Sequence, residues 1–367
     1  MASTSTPVRT GPRLSRRWRN IILALIFLYL LLLLGPVAGF QPERILREIA
    51  QNPALLIQQI LVGLANGSII AIIALGYTMV YGIIELINFA HADVFMLGTF
   101  MGLTILGLMG ISGQSSPGAI LLGILVAFFA TMLFTGGLNM LIERFAYRPL
   151  RNAPRLAPLI SAIGVSFMLV NIGLFWGGLR SIFPLMGQSA ASPKNFPDLL
   201  PKAPILEGAI IFTWKDLLVI VISLALMIAL RLFVQYTKTG KAMRAVAQNR
   251  SAAKIVGIHV DRIIALTFFI GGALAGAGAI IFGLYNNTTV FTVGFTVGLR
   301  SFTAAVFGGI GNITGAMLGG FLIGLLGALS DQYLSSRWTN AWVFAVLVAI
   351  LVFRPNGLLG ESVGEKA

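Results

Sequence analysis

Long apolar segments alternate with short polar ones along most of the chain. Runs of about 20 apolar residues have the length that a helix needs to cross a membrane. Up to residue 284 the apolar runs are Ile21–Phe40, Leu55–Tyr81, Leu86–Leu108, Ala119–Leu141, Pro158–Gly178, Leu217–Val234 and Ile263–Leu284. This pattern predicts an all-α polytopic membrane protein.

The last third of the chain is less regular. Asn286–Leu299 mixes Asn, Thr, Gly and aromatic residues, which predicts either a re-entrant segment or part of a span. Ser301–Leu329 is too long and too rich in glycine for one simple helix, and the cluster Gly308–Asn312 is expected to break it. Broken backbone at membrane depth is tolerated only where protein or a water-filled cavity satisfies it. With Trp342–Phe353 as the final span, about ten spans are predicted.

The N-terminal 50 residues form a segment of their own. Residues 1–20 are basic and contain no acidic residue, and the apolar run Ile21–Phe40 follows them. This is either a signal peptide that ends near Ala38–Gly39 or a retained helix with a cytoplasmic N-terminus, and its length favours the helix. We therefore divide the chain into this extension (1–50), a membrane domain (51–360) and a short tail (361–367).

Charge is scarce and unevenly distributed. Only 10% of the 367 residues are charged, with a net charge of +14, whereas soluble domains carry roughly a quarter. The positive residues cluster in the short loops 143–155 and 236–262, which the positive-inside rule assigns to the cytoplasm. The proline-rich loop 180–216 is then external. Because the basic runs lack interleaved aromatic residues, membrane lipid is the expected contact and nucleic acid is not.

The basic segment Tyr236–Arg262 separates two apolar runs. Its middle predicts a short amphipathic helix, with Ala252, Ala253 and Val256 at helical spacing and Gly257 where a helix would stop. Two interpretations stay open. The helix docks into a groove of a soluble ATPase and transmits motion, or the segment is a solvated loop that only sets topology.

Four polar residues interrupt an apolar block: Glu85, Asn88, His91 and Asp93. Ionisable residues at membrane depth usually face a bundle interior or a water-filled cavity, and a helix would place the first three near one face. The stretch is therefore predicted to line the translocation path or its gate. The alternative is a short cytoplasmic turn between two hairpin helices. A metal site would need more ligands than these residues supply.

Glycines recur at a spacing of four, which places each set on one helix face where a partner helix can approach closely. The set predicted to mediate helix packing is Gly272, Gly276, Gly311, Gly315 and Gly319.

The two halves of the chain also resemble each other. Val62–Tyr81 and Ala265–Leu284 are rich in Gly and Ala, and each precedes a broken stretch of polar residues and glycines, Gly82–Gly98 and Gly294–Gly311. Paired interruptions of this kind predict two pseudo-repeated halves with a transport pathway between them.

Enzymatic chemistry is not indicated. The chain contains no cysteine, and the pair Gly240-Lys241 lacks the other residues of a phosphate-binding loop. Neither a nucleophile elbow nor a zinc-protease helix occurs. If transport uses ATP, another chain must hydrolyse it.

Several motifs carry a family resemblance. GYTMVYGIIELINFAHADVFMLG (Gly76–Gly98), LISAIGVSFMLVN (Leu159–Asn171), FTAAVFGGIGNITGAMLGG (Phe302–Gly320) and RPNGLLG (Arg354–Gly360) closely resemble the LivH-type permease of branched-chain amino acid ABC importers. The resemblance extends from about Leu56 to Leu359. Two residues depart from it.

The departures lie in the polar stretch and in the basic segment. Ala92 replaces the glycine that usually follows the histidine, and Ser251 replaces the glutamate of the general importer pattern Glu-Ala-Ala-x-x-x-Gly.

The resemblance implies an ABC importer permease in a bacterial inner membrane. It makes the basic segment the loop that carries the coupling helix, with contacts to an ATPase by Ser251, Ala252, Ala253, Ile255, Val256 and Gly257. The implied partners are a second related permease, two cytoplasmic ATPase subunits that hold ATP and Mg, and a periplasmic binding protein. The permease itself is expected to bind no cofactor and to pass branched-chain or other neutral amino acids.

Other functions remain open from the residues alone. The same architecture serves urea or short amides in related permeases. A secondary transporter coupled to protons through Glu85, His91 and Asp93 would work without ATP and stop with a protonophore. An intramembrane enzyme would need paired catalytic groups that the sequence lacks.

Overall fold

The computed structural model describes residues 41–151, 153–154, 156–186, 189–206 and 208–360. The predicted N-terminal helix Ile21–Phe40 and the tail 361–367 lie outside the described residues. The α-helices, in chain order, are α1 Pro42–Gln51, α2 Pro53–Ile84, α3 His91–Leu108, α4 Pro117–Ile142, α5 Leu156–Gly177, α6 Trp214–Tyr236, α7 Lys238–Gln248, α8 Arg250–Ile255, α9 Val260–Asn286, α10 Val293–Gly308, α11 Ile313–Ser330 and α12 Thr339–Phe353.

Short irregular elements join these helices. A π-helical turn followed by a 3₁₀ turn occurs after α4 (Glu143–Tyr147, Arg148–Leu150) and again after α11 (Asp331–Ser335, Ser336–Trp338). The strands are β1 Lys194–Asn195, β2 Pro204–Leu206, β3 Phe212–Thr213 and β4 Thr288–Thr289. β1 pairs antiparallel with β4, and β2 pairs antiparallel with β3.

Seven stretches of the described residues are long and apolar enough to cross a membrane. They include α2, α3, α5, α6 and α9, α4 with the two turns after it, and one stretch of 41 residues that contains both α11 and α12. α10 has 16 residues, which gives a length of about 24 Å against a hydrocarbon core of about 30 Å. The predicted count of about ten spans is therefore not confirmed. The predicted break at Gly308–Asn312 does separate α10 from α11.

Burial separates a central layer from an outer one. In α2, α3 and α9, 72, 78 and 72% of the apolar stretch is buried. In α4, α5 and α6 the buried share is only 17–22%. The outer helices expose large apolar side chains such as Leu133, Phe167 and Phe175. Apolar surface of this extent is typical of contact with lipid or another membrane subunit.

Glycines permit the closest helix contacts. α2 packs on α11, where a side chain at Gly67 would lie 2.9 Å from the Phe321 backbone. α9 packs on α4, where a side chain at Gly272 would lie 2.5 Å from the Thr135 carbonyl oxygen. Small residues let helix backbones approach to such distances.

The remaining predicted packing glycines divide into two kinds. Gly276 faces α4 at Thr135, and Gly315 and Gly319 face the α10 backbone at Gly308 and Ala304. The prediction for Gly311 is wrong, because this residue lies in the turn before α11. Its φ of +97° is readily adopted by glycine, so backbone conformation and not helix packing requires it.

The secondary-structure elements follow the same order in the two halves of the chain. α2, α3, α4 and α5 correspond in order to α9, α10, α11 and α12. The long first helix of each half ends at a left-handed residue, Glu85 (φ 55°) or Asn287 (φ 54°), and among the described residues no other non-glycine residue has a positive φ. An extended segment then precedes the next helix, and the π and 3₁₀ turns occupy equivalent places.

The halves run in opposite directions. We call the end of the bundle that holds the loop after α4, the segment 236–262 and the chain after Phe353 the basic end. α2 ends there, with Gly82 next to Gly311, and α9 begins there. The two helices cross antiparallel where a side chain at Gly271 would lie 3.2 Å from the Gly76 carbonyl oxygen. This is the arrangement of an inverted repeat.

The α4–α9 contact gives a first testable prediction. Gly272→Ala forces the two backbones apart, which costs about 1–3 kcal/mol. We expect a lower melting temperature for the purified protein in detergent, followed by tryptophan fluorescence.

Gly137→Ala on α4 is the matched control, because a side chain there meets nothing within 4 Å. It should leave the melting temperature unchanged or raise it. Equal melting temperatures for the two variants would contradict the close contact.

Candidate functional site

The polar stretch does not form one helix. Glu85 closes α2 in the left-handed conformation, with its N–H donating to the Tyr81 carbonyl at 2.8 Å, and α3 begins only at His91. The predicted start of a span at Leu86 is therefore wrong. The prediction that Glu85, Asn88 and His91 share one helix face is also wrong, because residues 86–90 lie between two helices.

The segment between α2 and α3 returns into the bundle. His91 lies against Gly76, eight residues before the end of α2, which corresponds to about 12 Å along the helix. Asn88, His91 and Asp93 are buried, and Glu85 is exposed. Three of the four polar residues thus lie in the interior of the protein, contrary to a solvent-exposed hairpin turn.

A hydrogen-bond network holds this segment. The Asn88 side-chain amide donates to Asn139 Oδ1 at 2.9 Å, and Asn139 Nδ2 donates to the Phe268 carbonyl of α9 at 2.6 Å. The Tyr147 hydroxyl donates to the Ile87 carbonyl at 3.0 Å. Buried polar groups require such partners, so the network joins the break to α4 and α9. Asn139 and Tyr147 were not predicted from the sequence to belong to this site. The amide of Asn139 inside the apolar run of α4 was a signal that could have indicated it.

The second half contains an equivalent break. After Asn287 the chain returns into the bundle, where the hydroxyls of Thr289 and Thr99 lie 2.6 Å apart. α10 then begins beside the first turn of α3. A side chain at Gly294 would lie 2.7 Å from the Ala92 carbonyl oxygen and 2.9 Å from Asp93 Oδ1.

The N-termini of α3 and α10 therefore meet inside the bundle. We call this place, residues 91–93 and 293–298, the half-helix junction. The Ser166 hydroxyl of α5 donates to Asp93 Oδ2 at 2.5 Å, and the edge of the His91 ring contacts Tyr77 with ring centroids 4.7 Å apart. The junction combines a carboxylate with two helix N-termini, which carry partial positive charge.

The basic segment folds as two helices where the sequence predicted one. The Thr237 hydroxyl caps α7 by accepting from the Gly240 N–H at 3.0 Å, and the Asn249 side chain caps α8 by accepting from the Ala252 N–H at 3.0 Å. Such caps satisfy the free N–H groups of a first turn. α8 ends before Gly257, whose φ is +85°.

The predicted ATPase contacts differ in exposure. Ile255 and Val256 are 86% and 75% exposed, and Ser251 and Ala252 are exposed as well. Ala253 is buried, so its side chain packs within the chain itself, and the ATPase contact predicted for this residue stays a prediction. Adjacent exposed apolar residues at a polar end of the protein are typical of a protein contact.

α8 is connected directly to the end of α2. Arg250 Nη2 donates to the Ile83 carbonyl at 3.2 Å, two residues before Glu85. Burial and the nearby Arg151 lower the pKa of Arg250, and the nearby Glu85 opposes this shift. A displacement of α8 therefore acts on the backbone that leads into the polar stretch.

A second connection joins the loop after α4 to α9. Glu143 is buried, forms an ion pair with Arg151 and lies 3.6 Å from Arg148 Nε. Arg151 Nη1 also donates to Asp261 Oδ1 of α9 at 2.6 Å. In the sequence these residues indicated only charged loops and did not predict the ion pairs between them.

The opposite end of the bundle is held by the loop 180–216. Lys215 Nζ donates to Asn287 Oδ1 at 2.6 Å, and the Phe196 N–H donates to the Asn287 carbonyl at 3.0 Å. The loop thus fixes the left-handed residue that ends α9. The described residues contain no group of three or more His, Asp or Glu that could hold a metal ion.

Comparison with known proteins identifies the family. The family model described as branched-chain amino acid transport system / permease component matches residues 59–353. This chain belongs to that permease family. The permease is 39% identical over 317 residues to the high-affinity branched-chain amino acid transport system permease protein BraD of Pseudomonas aeruginosa, which covers 84% of this chain and 97% of BraD.

Two further permeases are similar to this chain, at different levels of sequence identity. LivH of Salmonella typhimurium, a high-affinity branched-chain amino acid permease, is 39% identical over 84% of this chain and 97% of its own. The xylose/arabinose import permease protein XylH of Sulfolobus acidocaldarius is 28% identical over 56% of this chain and 50% of its own. No solved structure matches the permease significantly.

The buried carboxylate at the basic end gives a second prediction for the permease. Glu143→Gln leaves the Arg151 charge without its buried partner, and breaking a buried ion pair costs about 3–5 kcal/mol. We expect a marked loss of thermal stability in detergent.

Asp261→Asn is the matched control, because this carboxylate is 61% exposed and exposed pairs contribute at most about 1 kcal/mol. An equal loss of thermal stability in both variants would contradict a stabilising role for the burial of Glu143.

Proposed function

We propose that this permease forms the membrane path of an ABC importer for neutral amino acids, with branched-chain amino acids as the main substrates. Family membership and the branched-chain amino acid transport systems of BraD and LivH support this substrate class. The structural observation that carries the proposal is the exposed pair Ile255 and Val256, on a helix connected to α2 through Arg250 and Ile83.

The complex that this function requires has parts on both sides of a bacterial inner membrane. The basic end lies in the cytoplasm, where two ATPase subunits bind ATP and Mg and contact α8. A second related permease completes the path within the membrane. A binding protein delivers the amino acid to the opposite end, near the loop 180–216.

Two connections transmit movement from the ATPases. Arg250 passes displacement of α8 to Ile83 and hence to α2. Arg151 joins the loop after α4 to Asp261 at the start of α9. A tilt of α2 against α9 about their contact at Gly76 and Gly271 opens one end of the bundle while it closes the other. ATP drives this change only as far as it binds one state more tightly than the other.

The half-helix junction is suited to an amino acid in the path. The N-termini of α3 and α10 favour a carboxylate, as half-helix termini do in other transporters. The Asp93 carboxylate favours an ammonium group. Urea and short amides carry neither charge, so the junction favours amino acids over these alternatives. We do not favour a proton-coupled mechanism, because the family model and BraD are permease components of a transport system, which implies further subunits.

The decisive experiment is uptake by the purified complex in proteoliposomes, with its binding protein, comparing labelled leucine, alanine, glutamate and urea. We expect leucine and alanine to enter only with ATP and binding protein present. Uptake of urea alone would replace the substrate, and uptake driven by a pH gradient without ATP would overturn the proposal.

α8 provides a third prediction. Ile255→Asp places a charge on the proposed ATPase contact, and we expect the purified permease to fold normally because this side chain is 86% exposed. ATP-dependent leucine uptake should fall at least about tenfold, which corresponds to about 1.4 kcal/mol of lost contact energy.

Ile255→Leu is the matched control, because it keeps an apolar side chain at the same exposed position, and it should leave uptake unchanged. Normal uptake by the Ile255→Asp complex would refute docking through α8.

Asp93 provides a fourth prediction. Asp93→Asn keeps the size of the side chain and removes the charge proposed to face the substrate ammonium group. Leucine uptake should fall about tenfold or more, with the affinity of the binding protein for leucine unchanged.

Glu48→Gln, on α1 and paired with Arg44, is the control and should transport normally. If Asp93→Asn transports as well as wild type, Asp93 does not line the path.

A further inference from the structure

A cavity of about 410 Å³ lies at the basic end between α2, the start of the polar stretch, α7 and α8. Its size is at the lower end of the range for small-molecule sites. Exposed residues at its rim, Glu85, Gln248 and Asn249, leave it open to the solvent of that end. It is separate from the half-helix junction, because it lies beyond the end of α2.

The cavity combines both signs of charge. Glu85, Arg151 and Arg250 line it, and the charges of Arg151 and Glu85 both act on Arg250. Arg250 uses one nitrogen for the Ile83 carbonyl, and a guanidinium has five N–H donors. The remaining donors can bind a carboxylate, which suits a guanidinium well. The Glu85 carboxylate can accept from an ammonium group.

The rest of the wall is mainly apolar. Ile84, Leu86, Pro158 and Val246 contribute hydrocarbon surface. A small molecule with an ammonium group, a carboxylate and an aliphatic side chain would therefore find a partner for each part. Inorganic anions would satisfy only Arg151 and Arg250, and apolar molecules would satisfy only the apolar part of the wall.

We propose that this cavity binds an aliphatic amino acid from the cytoplasm and that its occupation inhibits import. The proposal rests on the proposed function for the transported class and for the orientation of the basic end. It adds a second amino acid site, outside the path, through which the accumulated product slows its own uptake.

The inhibition follows from the double use of Arg250. Arg250 donates a single hydrogen bond to the neutral Ile83 carbonyl, whereas a carboxylate can accept two parallel hydrogen bonds from a guanidinium and also carries the opposite charge. A bound carboxylate therefore draws the guanidinium away from the Ile83 carbonyl and weakens the connection between α8 and α2. The effector acts at one site and changes the coupling at another, which is an allosteric effect.

The test uses the complete transporter in proteoliposomes, with ATP and increasing unlabelled leucine inside and labelled leucine with binding protein outside. We expect internal leucine at millimolar concentration to reduce the initial uptake rate at least by half. Leucinamide lacks the carboxylate and 4-methylpentanoate lacks the ammonium group, so neither should inhibit. Uptake that is insensitive to internal leucine, or equally sensitive to all three compounds, would overturn the proposal.

A variant pair locates the effect. Ala247 lines the cavity, and Ala247→Phe fills it without adding a charge or a carboxylate. This variant should transport normally with an empty lumen and need at least about tenfold more internal leucine for the same inhibition. Ala245→Phe, on the same helix but outside the cavity, should respond like wild type. Equal responses of the two variants would refute the site.

A binding measurement separates this proposal from the proposed function. Equilibrium dialysis of labelled leucine against the purified complex, without binding protein, should show a site that Ala247→Phe abolishes and Ala245→Phe retains. If that site is present while leucine uptake fails, the proposed transport function is wrong and the cavity assignment stands. If wild type binds no leucine and Ala247→Phe prevents association with the ATPases, the cavity is a protein contact and the proposal fails.

Discussion

The antiparallel crossing of α2 and α9 is the contact on which the rest of the structure depends. It is possible because glycine occupies both sides, Gly76 on α2 and Gly271 on α9, so that backbone meets backbone. Apolar burial drives helices together much less in lipid than in water, and such close packing takes its place. Each of the two helices then packs against one further helix of the other half, α2 against α11 and α9 against α4.

Breaking two helices inside the bundle exposes backbone groups that lipid cannot satisfy. The structure supplies protein partners for them. The Tyr147 hydroxyl donates to the Ile87 carbonyl at the first break, and the Phe196 N–H donates to the Asn287 carbonyl at the second. The breaks are thus fixed where the bundle can satisfy them, and they bring two helix N-termini and Asp93 together at one place.

The basic end is connected directly to the helices at the centre of the bundle. The polar connections there run to the ends of α2 and α9, the same two helices that cross at the centre. A displacement at the surface therefore reaches the crossing through rigid helices and not through loops. The cavity beside Arg250 lies on this route, which is why a small molecule bound there can change transport without entering the path.

The sequence by itself determined the class of protein, most of the helices, the break at Gly308–Asn312 and the family, because apolar length, charge position and local motifs are properties of neighbouring residues. It did not determine how Glu85, Asn88 and His91 are arranged. Their spacing is that of a continuous helix, but Glu85 adopts a left-handed conformation and ends α2. Nor could the sequence show that Ala253 is buried, that Gly311 belongs to a turn, or that Asn139 and Ser166 reach the polar stretch. Those facts depend on contacts between residues far apart in the chain, which only the tertiary structure brings together.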